Sequence, residues 1–290
     1  MSAYRSKHTN DPETAYQPAH GAERSPEPAR SQKAAPRSSS LRAKVLLILG
    51  IVFLVAALII AGMLVFKYLG ARAHYDDIVQ AASGDLPTSG QMVPDDTEPA
   101  AITIDWDTLK AINPDIVGWL LIPGTHINYP IVQAQDNSYY LDHRFDGEYS
   151  AGGSIFLDMD SSSELNSRNN LIYGHNMLDG SMFSDLSLFT EQEFFDAHRR
   201  ILILTPTRSY TLELEACVVC DADDTVRKLE FADRVDFESY LSMLLGYAVI
   251  VDADGVLGIE NLYCFATCTD FNNTKRTILL AKLVETKEST

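Results

Sequence analysis

The stretch that decides the fold lies near the C-terminus and reads Asn261-Leu-Tyr-Cys-Phe-Ala-Thr-Cys268-Thr-Asp-Phe-Asn-Asn-Thr-Lys-Arg276-Thr-Ile-Leu-Leu-Ala-Lys-Leu-Val-Glu285. Its two apolar parts, residues 261–268 and 277–284, predict strands, and the polar residues between them predict a turn. If the strands pair, Cys268 and Arg276 share one sheet edge, where a guanidinium favours the thiolate form of a cysteine. By itself the pattern also fits a buried structural cysteine and a surface arginine.

A third residue comes from the segment Asn170-Leu-Ile-Tyr-Gly-His175-Asn-Met, a short apolar run that predicts a strand with His175 at its end. Tyr-Gly-His-Asn-Met, followed by Ala-Thr-Cys268 and an arginine eight residues later, resembles the sortases, and class B most closely. The similarity runs from about Ile104 to Val284. The family usually has Thr-Leu-Ser-Thr-Cys where this chain has Cys-Phe-Ala-Thr-Cys, and the Thr-Cys pair is retained.

The resemblance implies a cysteine transpeptidase. In that chemistry Cys268 is the nucleophile, His175 the general acid and base, and Arg276 the partner of the oxyanion. Asp270 either orients His175 or caps the turn, and we favour the cap. Sortases cut a sorting signal after Thr, hold the protein as a thioester, and pass it to an amine of peptidoglycan or of a pilin subunit. This chemistry requires no cofactor and no metal.

Two other functions remain open from the sequence. A cysteine hydrolase would give the acyl-enzyme to water, and the acceptor site has no motif that distinguishes this reaction from transpeptidation. A non-catalytic, membrane-tethered binding module is disfavoured, because all three reactive residues are present. The exact sorting motif and the acceptor amine are not encoded in any motif of this chain.

The expected fold class is mostly β. Many short strands with few helices predict a closed or nearly closed barrel, and sortases are eight-stranded barrels. Helices are predicted from the N-cap Asp105 to Ile112 and over Asp236–Leu245, with two short helices at Gly180–Thr190 and Gln192–His198. The helix over Asp236–Leu245, before the strand that carries Cys268, resembles the insertion that marks class B. The eight predicted strands cover residues 117–122, 127–132, 154–157, 171–174, 201–204, 210–219, 261–268 and 277–284.

The N-terminal part divides into three predicted segments. Residues 1–43 are rich in Ser, Ala, Pro and Arg and predict a disordered cytoplasmic tail. Residues 44–67 contain 22 consecutive uncharged residues, too long for a signal peptide, and predict one transmembrane anchor. Residues 68–103 are predicted to be an extracytoplasmic linker, helical at first, before the catalytic domain at 104–290. The basic N-terminal flank predicts a cytoplasmic N-terminus and an extracellular catalytic domain.

Charge and cysteine content narrow the choice of partners. The net charge of −17 argues against nucleic acid as a partner, because phosphate binding needs a basic surface. Cys217 and Cys220 lie on one predicted strand and on opposite faces of it, which favours two unrelated cysteines over a metal site. Asp158-x-Asp160 resembles a calcium loop but lacks the later Gly and Glu, so a solvated acidic loop is expected.

Overall fold

The computed structural model of the chain describes residues 40–82, 86–87, 91–99, 102–221, 226–252, 256, 258–268 and 275–288. Asp270 and nearly all of the predicted disordered tail lie outside these residues. The chain divides into two compact units, residues 1–57 and residues 58–290.

The first described element is helix α1, Leu41–Ala82. Its first 23 residues, Leu41–Met63, are long and apolar enough to cross a membrane, and their most apolar window is fully exposed. A helix of about 20 apolar residues matches the thickness of the hydrocarbon core. The helix predicted from the uncharged run is therefore present, and it continues beyond that run.

The described residues from 102 onward form short helices and nine strands. The helices are α2 (Trp106–Ile112), α3 (Gln192–Ala197) and α4 (Arg234–Leu245), with 3-10 turns at Tyr139–Leu141 and Ser184–Thr190. The strands are β1 (Ile116–Leu121), β2 (Asn128–Val132), β3 (Ile155–Leu157), β4 (Asn169–His175), β5 (Arg200–Leu204), β6 (Arg208–Asp221), β7 (Ala248–Val251), β8 (Leu262–Cys268) and β9 (Lys275–Glu288).

Eight of these strands close into a barrel in the order β5-β1-β2-β3-β4-β8-β9-β6, and β6 pairs again with β5. The pairs β2–β3 and β4–β8 are parallel, and the other pairs are antiparallel. Strand β6 makes closure possible because it pairs with β9 along its whole length and with β5 along its first half. The predicted mostly β, eight-stranded barrel with short helices is confirmed.

Strand β7 was not predicted from the sequence. It has only four residues and pairs with β6 beyond the point where β5 ends, so it lies outside the closed ring. The predicted helices at 105–112, 192–198 and 236–245 are confirmed as α2, α3 and α4, and the one predicted at 180–190 is a 3-10 helix over its last seven residues. The side chain of Asp105 accepts a hydrogen bond from the Thr108 backbone N–H at 3.0 Å, as an N-cap does. Helix α4 is thus separated from β8 by a short strand.

Simple alternation fails in the middle of β6. Regular alternation along the predicted strand places Glu215 and Cys217 on its polar face, yet both residues are fully buried. The pairing with β9 shifts register between Leu214 and Ala216, and the pairing with β7 shifts again after Cys217. A bulge inserts one extra residue into a strand and so changes which face the following side chains occupy. Cys220 is buried as well, so both faces of β6 are covered where the two cysteines lie.

The described part of the predicted linker packs against the domain. Its buried side chains are Tyr75, Ile78, Val79, Ala82, Leu86 and Val93. Backbone hydrogen bonds add to this packing, since Val93 N–H donates to Thr125 and Asp105 N–H donates to Ala82. Several described residues of the predicted linker, which was expected to be helical at first, thus belong to the hydrophobic core of the domain.

Candidate active site

Strands β4 and β8 bring two of the predicted site residues together. They are neighbours in the barrel and pair in parallel over seven residues, from Asn169 opposite Leu262 to His175 opposite Cys268. Because neighbouring strands are about 4.8 Å apart, the last pair places the backbones of His175 and Cys268 side by side. Sequence reasoning placed both residues at strand ends, and the parallel pairing is what makes the two ends coincide.

Strand β9 brings the third residue to the same end of the barrel. It pairs with β8 in the antiparallel sense as far as Ala266 opposite Ile278. One residue further out, the Thr267 hydroxyl accepts a hydrogen bond from the Thr277 backbone N–H at 3.0 Å. Cys268 and Arg276 are the next residues on the two strands. Arg276 is half-buried and also lies opposite Cys220 of β6.

The imidazole of His175 is oriented by a backbone carbonyl. Its Nε2 lies 2.7 Å from the carbonyl oxygen of Leu141, which belongs to the 3-10 turn that follows β2. A carbonyl oxygen only accepts hydrogen bonds, so Nε2 carries a proton. Nδ1 is therefore the ring nitrogen whose protonation changes when His175 takes or gives up a proton. No sequence pattern indicates this partner, because Leu141 contributes only its backbone carbonyl.

The end of β4 is held by close packing at Gly174. A Cβ atom at this position would collide with the Ile155 side chain and would lie 2.8 Å from the ring of Phe183. The carbonyl of His175 also accepts a hydrogen bond from the Phe183 backbone N–H at 2.8 Å. Glycine thus lets Phe183 and β3 approach the strand directly beside His175.

The other three cysteines, Cys217, Cys220 and Cys264, are buried. Burial raises the pKa of Cys217 to about 12 and raises the pKa of Cys264 strongly as well. A thiol is reactive as the thiolate, so neither residue forms an appreciable amount of nucleophile near neutral pH. In particular, Cys264 is disfavoured although it lies on the same strand as Cys268.

Asp158 was expected in a solvated acidic loop, and this expectation was wrong. The residue is fully buried and forms a bidentate ion pair with Arg227, at 2.7 and 2.8 Å. Tyr173 also donates a hydrogen bond to Asp158, at 3.0 Å. The guanidinium occupies the carboxylate that a cation would need and fastens the chain between β6 and α4 to the barrel. Among the described residues, no group of three or more His, Cys, Asp and Glu is arranged to hold a metal ion.

Comparison with known proteins identifies relatives for this arrangement. The Sortase domain family model matches residues 120–284. Sortase B of Listeria monocytogenes is 37% identical over 178 residues, which are 61% of this chain and 72% of the relative. Sortase B of Staphylococcus aureus is 26% identical over 235 residues, which are 80% of this chain and 96% of the relative.

Solved structures agree with the sequence matches. The crystal structure of sortase B from Bacillus anthracis has a TM-score of 0.61 and 28% identity, covering 77% of this chain and 99% of that chain. A Staphylococcus aureus sortase B–substrate complex has a TM-score of 0.57 and 28% identity, covering 62% and 84%. The eight-stranded barrel with its short helices is the fold that these relatives share.

The packing at Gly174 predicts the effect of one added methyl group. Gly174→Ala should destabilise the domain by about 1–3 kcal/mol, because the core beside His175 has no room for it. Gly152→Ala is the matched control, since the nearest atoms to a Cβ there lie 3.6 Å away or more. Thermal unfolding measures both changes. Equal melting temperatures for the two variants would contradict the assignment of Gly174 to a close contact.

Proposed function

The chain belongs to the sortase family, in class B, and we propose that it cleaves a C-terminal sorting signal after Thr through a thioester on Cys268. The acyl group is then transferred to an amine of the cell wall or of a pilin. As a sortase, the protein is a cysteine transpeptidase. The observation that supports the proposed residues most strongly is the parallel pairing of His175 with Cys268, next to the strand that carries Arg276.

In the first proposed step, the sulfur of Cys268 attacks the carbonyl carbon of the scissile peptide bond. The C–N bond breaks, the leaving amine takes a proton from His175, and the acyl group stays on sulfur as a thioester. In the second step, an acceptor amine attacks the thioester and gives a proton to His175. The C–S bond breaks and Cys268 is restored. General acid–base catalysis of this kind contributes typically about 10²–10⁴ in rate.

The hydrogen bond to Leu141 supports this role for His175. Because Nε2 donates to the carbonyl oxygen in both protonation states, Nδ1 carries the proton that is exchanged with the amine. A ring held by one nitrogen does not have to be reoriented between the two steps. Such positioning lowers the entropic cost of each proton transfer.

Arg276 is proposed to stabilise the negative charge that develops on the carbonyl oxygen in both steps. A guanidinium keeps its proton under all conditions in which the enzyme works, so it is always available as a donor. Loss of one such donor costs about 10²–10³ in rate. Asp270 lies outside the described residues, and its proposed use is to cap the turn between β8 and β9, with orientation of His175 as the other use.

The proposed substrates are secreted proteins that carry a C-terminal sorting signal. The Staphylococcus aureus relative has been solved as a substrate complex, which supports binding of such a signal in this family. The apolar part of α1 supports a membrane-anchored enzyme, because secreted substrates leave the membrane near such an anchor. The proposed topology is a single pass with a cytoplasmic N-terminus and an extracellular catalytic domain, inferred from the basic N-terminal flank.

This topology predicts the outcome of protease treatment. When protease is added to intact cells without their wall, the catalytic domain should be degraded and a tag at the N-terminus should survive. Permeabilised cells are the control, in which the tag should also be lost. Loss of the tag from intact cells would show that the orientation is reversed.

The buried thiols predict which cysteine is labelled. At neutral pH, iodoacetamide should modify Cys268 in the folded protein and leave Cys217, Cys220 and Cys264 intact, because burial keeps Cys217 and Cys264 in the thiol form. Mass spectrometry of peptides identifies the modified residue. Cys268→Ala should remain unlabelled until it is unfolded. Modification of Cys264 before Cys268 would contradict the assignment of the nucleophile.

The reaction itself predicts an acyl-enzyme and an amine product. With a sorting-signal peptide, the protein should gain the mass of the acyl portion, and added amine should raise turnover and enter the product. Cys268→Ala should abolish the adduct, and Arg276→Ala should slow its formation by about 10²–10³. Tyr210→Phe is the control and should react normally. Tyr210 lies near the start of β6, whereas Cys220, which faces Arg276, lies near its end. If only free acid forms at high amine concentration, the enzyme is a hydrolase.

A further inference from the structure

We infer that Tyr75, on the last turns of helix α1, is a positioning residue for His175. The inference rests on the proposed function, because it assigns a role to a residue that supports the proposed general acid and base. Tyr75 acts through two backbone groups, the carbonyl of Gly153 and the carbonyl of Leu141. It lies in the segment that the sequence predicted to be a linker.

The first contact is a hydrogen bond from the Tyr75 hydroxyl to the carbonyl oxygen of Gly153, at 3.0 Å. Tyr75 is only 4% exposed, and its ring packs edge-on against Tyr129 with a centroid distance of 5.3 Å. Burial raises the pKa of Tyr75, so the hydroxyl keeps its proton and acts as a donor. The hydrogen bond therefore holds the backbone at residue 153 from one side.

The second contact is the close approach of Gly153 to the turn that contains Leu141. Gly153 has φ +56°, and a Cβ atom there would collide with the carbonyl oxygen of Tyr140 and lie 2.6 Å from that of Leu141. The next residue donates its backbone N–H to the Tyr140 carbonyl at 3.0 Å. Because the two backbone segments touch without an intervening side chain, a displacement of Gly153 displaces the Leu141 carbonyl.

The third contact is the hydrogen bond from His175 Nε2 to the Leu141 carbonyl, at 2.7 Å. This carbonyl selects the tautomer with the proton on Nε2 and sets the direction in which Nδ1 faces. A shift of the carbonyl by a fraction of an ångström weakens the bond and allows the ring to change tautomer or to rotate. Tyr75 is thus connected to the ring of His175 through an unbroken series of direct contacts.

The position of Tyr75 in the chain gives this connection its significance. The candidate membrane span ends at Met63, and Tyr75 follows on the same helix. Three of the residues after it, Ile78, Val79 and Ala82, are buried in the domain. The segment after the candidate membrane span therefore helps to orient His175, in addition to linking the span to the domain.

The experiment compares Tyr75→Phe with Tyr210→Phe in the full chain in detergent micelles. Both substitutions remove one buried hydroxyl that donates to a backbone carbonyl, Gly153 in one case and Glu164 in the other. Only the first carbonyl is linked to His175. Imidazole ¹⁵N NMR reports which ring nitrogen of His175 carries the proton, and steady-state kinetics with a sorting-signal peptide give kcat, KM and the pH profile.

In the wild-type protein and in Tyr210→Phe, neutral His175 should have its proton on Nε2. In Tyr75→Phe we expect a mixture of tautomers, a kcat about 3- to 10-fold lower with little change in KM, and a shifted pH profile. If Tyr75 only contributes to packing, Tyr75→Phe should behave like Tyr210→Phe: its melting temperature falls, and its His175 signals, kcat and pH profile stay unchanged. An unchanged His175 tautomer and pH profile in Tyr75→Phe would overturn the inference.

Two further measurements keep the result unambiguous. If Tyr75→Phe does not fold, 3-fluorotyrosine at position 75 retains the hydroxyl and makes it a stronger donor. The His175 ring signals should then move, while those of His198, which packs against Phe194, stay fixed. His175→Ala tests the proposed function separately. Full activity of that variant would refute the catalytic role of His175, whereas the ring signals would still decide whether Tyr75 positions the imidazole.

Discussion

The parallel pairing of β4 with β8 is the interaction on which the rest of the site depends. A parallel ladder fixes every residue of one strand against one residue of the next, and this ladder ends with His175 opposite Cys268. Parallel neighbours need a long connection, and here the 86 intervening residues, 176–261, contain β5, β6, α4 and β7. Gly174 helps to fix this register, because Phe183 and Ile155 pack where a side chain would otherwise lie. Shifting the register by one residue would turn the paired side chains to opposite faces.

Closure of the barrel holds this ladder in place from both sides. Strand β6 joins β9 to β5, and the segment before α2 adds buried side chains and the Tyr75 hydrogen bond. The chain between β6 and α4 is fastened by Arg227 on the buried carboxylate of Asp158, and by Asn169, which donates to the carbonyl of Lys228. Removing Arg227 would leave the fully buried carboxylate of Asp158 without its cation. Helix α4 is therefore attached to the barrel by polar contacts as well as by apolar packing.

Different physical effects prepare His175 and Cys268 for their proposed roles. Around His175, orientation comes from backbone groups, which side-chain patterns do not reveal: the carbonyl of Leu141, the close approach of Gly153 and the packing at Gly174. Around Cys268, selectivity among thiols comes from burial, since the pKa of Cys264 and of Cys217 is raised by loss of solvent. The backbone contacts fix which nitrogen of His175 exchanges a proton. Burial of the other thiols leaves Cys268 as the expected nucleophile.

The sequence by itself determined the eight barrel strands, both principal helices, the apolar N-terminal helix and the three residues of the proposed site. These features depend on local periodicity, on uninterrupted apolar length and on short motifs, all of which are readable along the chain. Only the tertiary structure decided that β4 and β8 are parallel neighbours, that β7 branches from β6, that Asp158 is buried against Arg227, and that Tyr75 belongs to the core. Each of these depends on contacts between residues far apart in sequence, and neither periodicity nor propensity specifies such contacts.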